Sequence, residues 1–175
     1  YQHYKKINDN VGIPILIYNI PSRSVIDMTV ETMTKLYELK NIIGVKDATG
    51  DLERVGLQKK SMGNDFIQLT GNDDNALEFN KLGGVGAIGV TANIAAKLSS
   101  DFQNACVNDK NKAFELDKIL QPLHTAMFIE SNPSPVKYAA SLLKMCSARV
   151  RLPLVEVRDI TKKKISEALK VAKIL

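Results

Sequence analysis

Four short apolar runs, each closed by Gly, Pro, Asn or Asp and followed by a segment of helical periodicity, constrain this chain more than any other feature of its sequence. The predicted strands are Ile15–Tyr18, Ile42–Lys46, Phe66–Thr70 and Gly86–Val90. The helices predicted between and after them cover roughly Thr29–Tyr37, Asp51–Met62, Asp73–Lys81 and Ala95–Val107. Such βα alternation predicts a parallel sheet covered by helices. Strand starts recur about every 20 to 30 residues, a spacing that fits a doubly wound sheet and a (β/α)8 barrel equally well. Beyond the fourth run the pattern is helical only. Ala113, Leu116, Leu120 and Leu123 make one apolar stripe, and Ile165, Ala168, Leu169 and Ala172 another, with breaks at Asn132-Pro133-Ser134-Pro135 and Leu152-Pro153.

With 175 residues, 45% hydrophobic and 25% charged, the composition is that of one globular domain with a sizeable core. The apolar runs are too short to span a bilayer, and Tyr1 does not open a signal-peptide pattern, so a cytoplasmic protein is expected. Cys106 and Cys146 lack metal or redox spacing and are expected to be free, buried thiols. The net charge of +5 is dispersed, and its densest cluster, Lys162 to Lys164, lies on a helical pattern without interleaved aromatics. That argues for a solvated helix face and against a nucleic-acid partner.

Lys46 ends a predicted strand whose alternation would place it on one face with Ile42 and Gly44, at the carboxyl end where α/β folds gather their active residues. A lysine dehydrated by apolar neighbours there presents the neutral amine that attacks a ketone. Position alone favours the plainer role, a strand-end lysine reaching solvent or pairing with Asp47. Tyr18 ends the preceding strand, so adjacent strands about 4.8 Å apart would bring its phenol within reach of the amine. Arg23 follows in the turn Pro21-Ser22-Arg23, where a guanidinium suits a carboxylate. Gly71-Asn72-Asp73-Asp74 is expected to cap the next helix, and Gly83-Gly84-Val85-Gly86 precedes a strand, so it reads as a tight turn and not as a phosphate loop. His3 and His124 receive no role.

Taken together, Tyr18-Asn19-Ile20-Pro21-Ser22-Arg23, Gly44-Val45-Lys46-Asp47-Ala48-Thr49-Gly50, Gly71-Asn72-Asp73-Asp74 and Val90-Thr91-Ala92-Asn93 resemble the dihydrodipicolinate synthase family in identity, order and spacing. Asn132-Pro133-Ser134-Pro135-Val136-Lys137 and Arg151-Leu152-Pro153-Leu154 extend the resemblance along the whole chain. It implies an α/β chain forming the last four strands of a TIM (β/α)8 barrel plus a C-terminal helical extension. Residues 1–93 would be the second barrel half, and 94–175 the final barrel helix and extension, in one structural unit. The implied activity is a class I aldolase-type lyase condensing pyruvate with L-aspartate 4-semialdehyde toward diaminopimelate and lysine.

In that scheme Lys46 forms an imine with pyruvate, Tyr18 moves protons, Arg23 holds the semialdehyde carboxylate, and Gly71 and Ile88 line the pyruvate site, Ile88 supplying part of an apolar wall. No organic cofactor or metal is implied. Related N-acetylneuraminate and keto-deoxy sugar acid lyases share the lysine and tyrosine, and Arg23 in its Pro-Ser-Arg turn favours the synthase. Asn72 departs from the acidic residue common at that position. The family's Gly-Thr-Thr stretch and second tyrosine have no counterpart among these residues, so the chain is expected to be a C-terminal portion, inactive in turnover by itself. It would work in a homotetramer or with a complementary N-terminal half, or persist as a non-catalytic truncated relative.

Overall fold

The computed structural model describes all 175 residues and divides them into two compact units, Tyr1–Ile88 and Gly89–Leu175. The first unit begins with α1 (Gln2–Asn10), followed by β1 (Ile15–Asn19), the single turn α2 (Pro21–Ser24), α3 (Val30–Tyr37), β2 (Ile42–Asp47), α4 (Glu53–Met62), β3 (Ile67–Thr70) and α5 (Ala76–Lys81). The strands form a parallel sheet in the order β1-β2-β3. Local chemistry sets the boundaries. Proline opens α2, and the Thr29 hydroxyl accepts the Thr32 N–H at 3.2 Å to cap α3. Asn41 anchors the start of β2 by donating its amide to the Asn8 and Val11 carbonyls at the end of α1.

One face of the sheet is covered. Ile17, Met33, Leu36, Ile42, Val45, Met62 and Phe66 form a buried cluster between the strands and helices, with Tyr4, Ile15 and Met28 packed at its margin. Each such side chain contributes about 1.5–3 kcal/mol on burial, which exceeds the roughly 0.5–2 kcal/mol of rotamer freedom it loses on ordering. The opposite face carries Leu16, Tyr18, Gly44, Lys46, Ile67 and Leu69, and Leu16 and Tyr18 are exposed there.

Ile42 does not share that face with Lys46, as plain alternation predicts. Ile15 pairs with Ile42 but Leu16 pairs with Gly44, so Ile43 is an extra residue in β2. The irregularity turns Ile42 into the covered cluster with Val45 while Gly44 and Lys46 stay on the open side. Gly44 is required by its neighbour strand, because a Cβ there would lie 2.1 Å from the Ile67 carbonyl oxygen.

The fourth predicted strand is reduced to one parallel bridge, Thr70 to Ala87. The Val85 and Ile88 N–H groups donate to the Gln68 and Thr70 carbonyls, and Thr70 N–H donates to Gly86. Gly83 at φ 117° and Gly86 at φ 158° leave the β region and interrupt a regular strand there. The helix predicted from Asp73 starts as a 3-10 turn, Asp73–Asn75, before α5.

The second unit is helical: a 3-10 turn at Thr91–Asn93, then α6 (Ala96–Asn108), α7 (Lys110–Met127), α8 (Ser134–Leu142) and α9 (Asp159–Val171). α6 packs on α7, and α9 packs on both α7 and α8. Most of both predicted stripes is buried: Ala113, Leu120 and Leu123 on α7, and Ile165, Ala168 and Leu169 on α9, with Leu116 and Ala172 half-buried at the margins. Asp109 alone separates α6 from α7 and caps the latter by accepting the Lys112 N–H at 3.0 Å. Cys106 and Cys146 form no disulfide, and neither is the buried thiol expected: Cys106 is half-buried, and Cys146 is exposed beyond the end of α8. No helix is long and apolar enough to cross a membrane.

Candidate active site

Tyr18 and Lys46 are direct partners across β1 and β2, each one residue from its strand's carboxyl end. Register therefore does what the sequence spacing anticipated. The Lys46 amine lies over the Tyr18 ring, 4.0 Å from its centroid, a distance at which ring and amine attract and hold the flexible lysine in one direction. Lys46 is only partly buried and Tyr18 is 46% exposed. The full dehydration expected of Lys46 is thus not reached within this chain. Ile88, expected as part of an apolar wall, is itself 46% exposed.

The third strand approaches the same amine-bearing chain through a glycine. A Cβ on Gly71 would stand 2.6 Å from Ala48 Cβ and 3.2 Å from Lys46 Cε, so the absent side chain is what leaves the lysine room. Gly71 N–H donates to the Asp47 carbonyl at 2.7 Å and Ala48 N–H to the Asn19 carbonyl at 2.9 Å, which extends the pairing past the strand ends. Arg23 lies just beyond β1, in the single turn of α2, with an exposed side chain. Tyr4 of α1 reaches the backbone of Tyr18, and burial pushes its phenol pKa up against the opposing effect of that hydrogen bond.

Asp47 is not the partner of Lys46. It points to the covered face, where its carboxylate accepts from Thr49 N–H at 2.9 Å, the Thr49 hydroxyl at 2.6 Å, Arg54 Nε at 2.9 Å and Gln58 Nε2 at 3.0 Å. Arg54 also donates to the Met28 carbonyl at 2.7 Å and stands 3.7 Å from Asp27, which in turn accepts from the Asn19 amide at 2.8 Å. Sequence reasoning missed this group. Its only linear trace is that Tyr18 and Lys46 are each followed by a polar residue, Asn19 and Asp47, where alternation predicts the covered side. No cluster of three or more His, Cys, Asp or Glu side chains is placed to hold a metal ion.

Residues 1–172 match the model of the dihydrodipicolinate synthetase family. The chain is 68% identical to the 4-hydroxy-tetrahydrodipicolinate synthase of Pelagibacter ubique, over the whole of this chain and 61% of that protein. It is 52% identical to the Parvibaculum lavamentivorans synthase, again over all of this chain and 60% of the relative. Among solved structures, the dihydrodipicolinate synthase of Acinetobacter baumannii, chloride-inhibited and complexed with pyruvate, superposes with a TM-score of 0.95 at 37% identity, covering 100% of this chain and 60% of that one. The chain thus spans about three-fifths of the length of these relatives. A match of this extent, in a parallel α/β arrangement that sets a lysine against a tyrosine at neighbouring strand ends, makes the chain a member of the dihydrodipicolinate synthetase family.

Proposed function

We propose that this chain carries the imine-forming lysine of a synthase that condenses pyruvate with L-aspartate 4-semialdehyde, and that its sheet is part of a (β/α)8 barrel. The observation that carries this reading is the pairing of Lys46 and Tyr18, with the amine 4.0 Å from the ring centroid, on a strand-end face shared with Gly71. In the proposed chemistry the neutral Lys46 amine attacks C2 of pyruvate, the carbinolamine loses water, and a C=N bond remains. Removal of a C3 proton, which Tyr18 relays, gives an enamine whose C3 attacks the aldehyde carbon of the second substrate. Arg23 takes that substrate's carboxylate in a two-pronged contact. Gly71 and the backbone around Ile88 line the pyruvate side. Further groups and a closed, dry mouth come from additional polypeptide, either copies of the chain or a complementary segment.

Capture of pyruvate isolates the part assigned to these residues. Incubation with pyruvate and borohydride should leave a reduced pyruvyl group on the peptide that contains Lys46, read by mass spectrometry, and Lys46→Arg should abolish it. An unmodified Lys46, or an equal adduct on the arginine variant, sinks the assignment. Omitting pyruvate controls for unrelated reduction.

A further inference from the structure

The carboxylate of Asp47 accepts four hydrogen bonds from the 49–58 segment, and Arg54 relays its hold to the 27–28 loop and, through Asp27, to Asn19. The anchored residues are placed with regularity. Asn19 follows Tyr18, and Asp47 follows Lys46, so each open-face residue is succeeded by one whose side chain points into the covered side. A strand turns over with every residue, so rotation or retreat of Asp47 must carry Lys46 with it. Asp47 and Arg54 are nearly buried, 4% and 8% exposed, and a buried charge pair so fully bonded resists rearrangement. Met28 N–H donates to the Asn19 carbonyl oxygen of the side chain at 3.1 Å, which closes the link at β1.

We infer that Asp47 and Arg54 form a clamp beneath the sheet that sets the register and direction of Tyr18 and Lys46 on its other face, making Asp47 a positioning residue for the amine. The inference deepens the proposed imine chemistry and rests on it only for the kinetic reading below. The geometric reading is separate.

The experiment uses the full chain with 13C-labelled lysine. Lys46 ε-methylene resonances, assigned by their loss in Lys46→Arg, should be displaced upfield by the current of the Tyr18 ring. In Asp47→Asn that displacement should collapse, and the saturating rate of borohydride trapping should fall about tenfold to a hundredfold, the scale on which a reacting group misplaced by about 1 Å is felt. The pyruvate concentration giving half the maximal rate should stay within about twofold, because no substrate contact is removed. Leu36→Ala, a cavity in the buried cluster, serves as a destabilised control that should alter neither reading. A folded Asp47→Asn protein with wild-type resonance and rate overturns the inference, as does a wild-type Lys46 signal without ring displacement. Should Asp47→Asn not fold, Asn19→Ser cuts the clamp at the opposite end and is decided by the same two readings. Absence of any adduct in the wild type defeats the imine chemistry, and the resonance then decides the clamp alone.

Discussion

Gly71 governs how near the third strand end comes to Lys46. A methyl group there would press on Ala48, 2.6 Å away, and on the lysine side chain at 3.2 Å, and the first of these cannot be relieved by a rotamer change because Ala48 has none. Gly71→Ala is therefore expected to keep the circular dichroism of the parent while slowing pyruvate trapping at Lys46 by about tenfold or more. An unaltered rate would show that the lysine has slack. Val25 is a different kind of residue. It adopts φ 64°, ψ −14° at the end of α2, the left-handed region that β-branched side chains avoid, and it is 90% exposed, so packing offsets little of that cost. Relief of about 1–2 kcal/mol of steric cost, against roughly 0.5–1 kcal/mol of added freedom in the unfolded chain, leaves Val25→Gly about 0.5–1 kcal/mol more stable. Urea unfolding measures this directly, and a lower midpoint with unchanged slope would count against it.

Between elements, β2 and β3 approach each other closely at Gly44. Its alanine variant would drive a Cβ to 2.1 Å from a backbone oxygen, which only strand separation relieves, and a loss of about 1–3 kcal/mol or more is expected in denaturant titration. α9 is held at its start by charge. The Thr161 hydroxyl, then the backbone N–H of Arg158, which donates to Glu130 at 3.1 Å, and the Arg158 guanidinium hold the Glu130 carboxyl below the usual carboxylate range. A carboxyl with a lowered folded-state pKa lends stability that is fully present above its unfolded value, about 4.3, and is lost as pH falls through the folded value. The melting-temperature gap between wild type and Glu130→Gln should accordingly be constant from neutrality to about pH 5 and shrink in stronger acid. A gap that ignores pH would refute the coupling. The elements themselves were largely legible in the sequence, because β1 and β2 are apolar runs of strand length closed by turn residues and the long helices carry a period near 3.6. The extra residue at Ile43 was not, since an irregular pairing depends on the neighbouring strand and leaves no mark in a run of apolar residues. Nor was the reduction of the fourth strand to one bridge, because the sequence does not show that Gly86 takes a φ of 158° where a strand residue would not. Tyr18 and Lys46 could be brought together from register and Gly71 entered only through the family resemblance, whereas the clamp of Asp47 with Arg54 required knowing which turn of α4 faces the sheet.

For the molecule as a whole, the first unit presents a sheet face with Leu16 and Tyr18 exposed and an edge, along β1, that no other strand of the chain covers. Such an edge and apolar face invite association, which a net charge of +5 opposes only in part. Sedimentation of the chain should show mass rising with protein concentration and with salt, and Leu16→Lys should shift the distribution toward monomer. A single concentration-independent monomer in high salt would contradict this. The alternation of Tyr18 with Asn19 and of Lys46 with Asp47 has one last consequence, for how such a chain can change over time. Adding or deleting one codon in the regularly paired stretch Leu16–Asn19 or Gly44–Asp47 would exchange the two sides, sending an amine among greasy packing and a carboxylate to where the proposed chemistry meets a ketone. Divergence in these stretches is thus restricted to swaps of one residue for another, and changes of length have to accumulate in the loops or at an irregularity such as the one that absorbs Ile43.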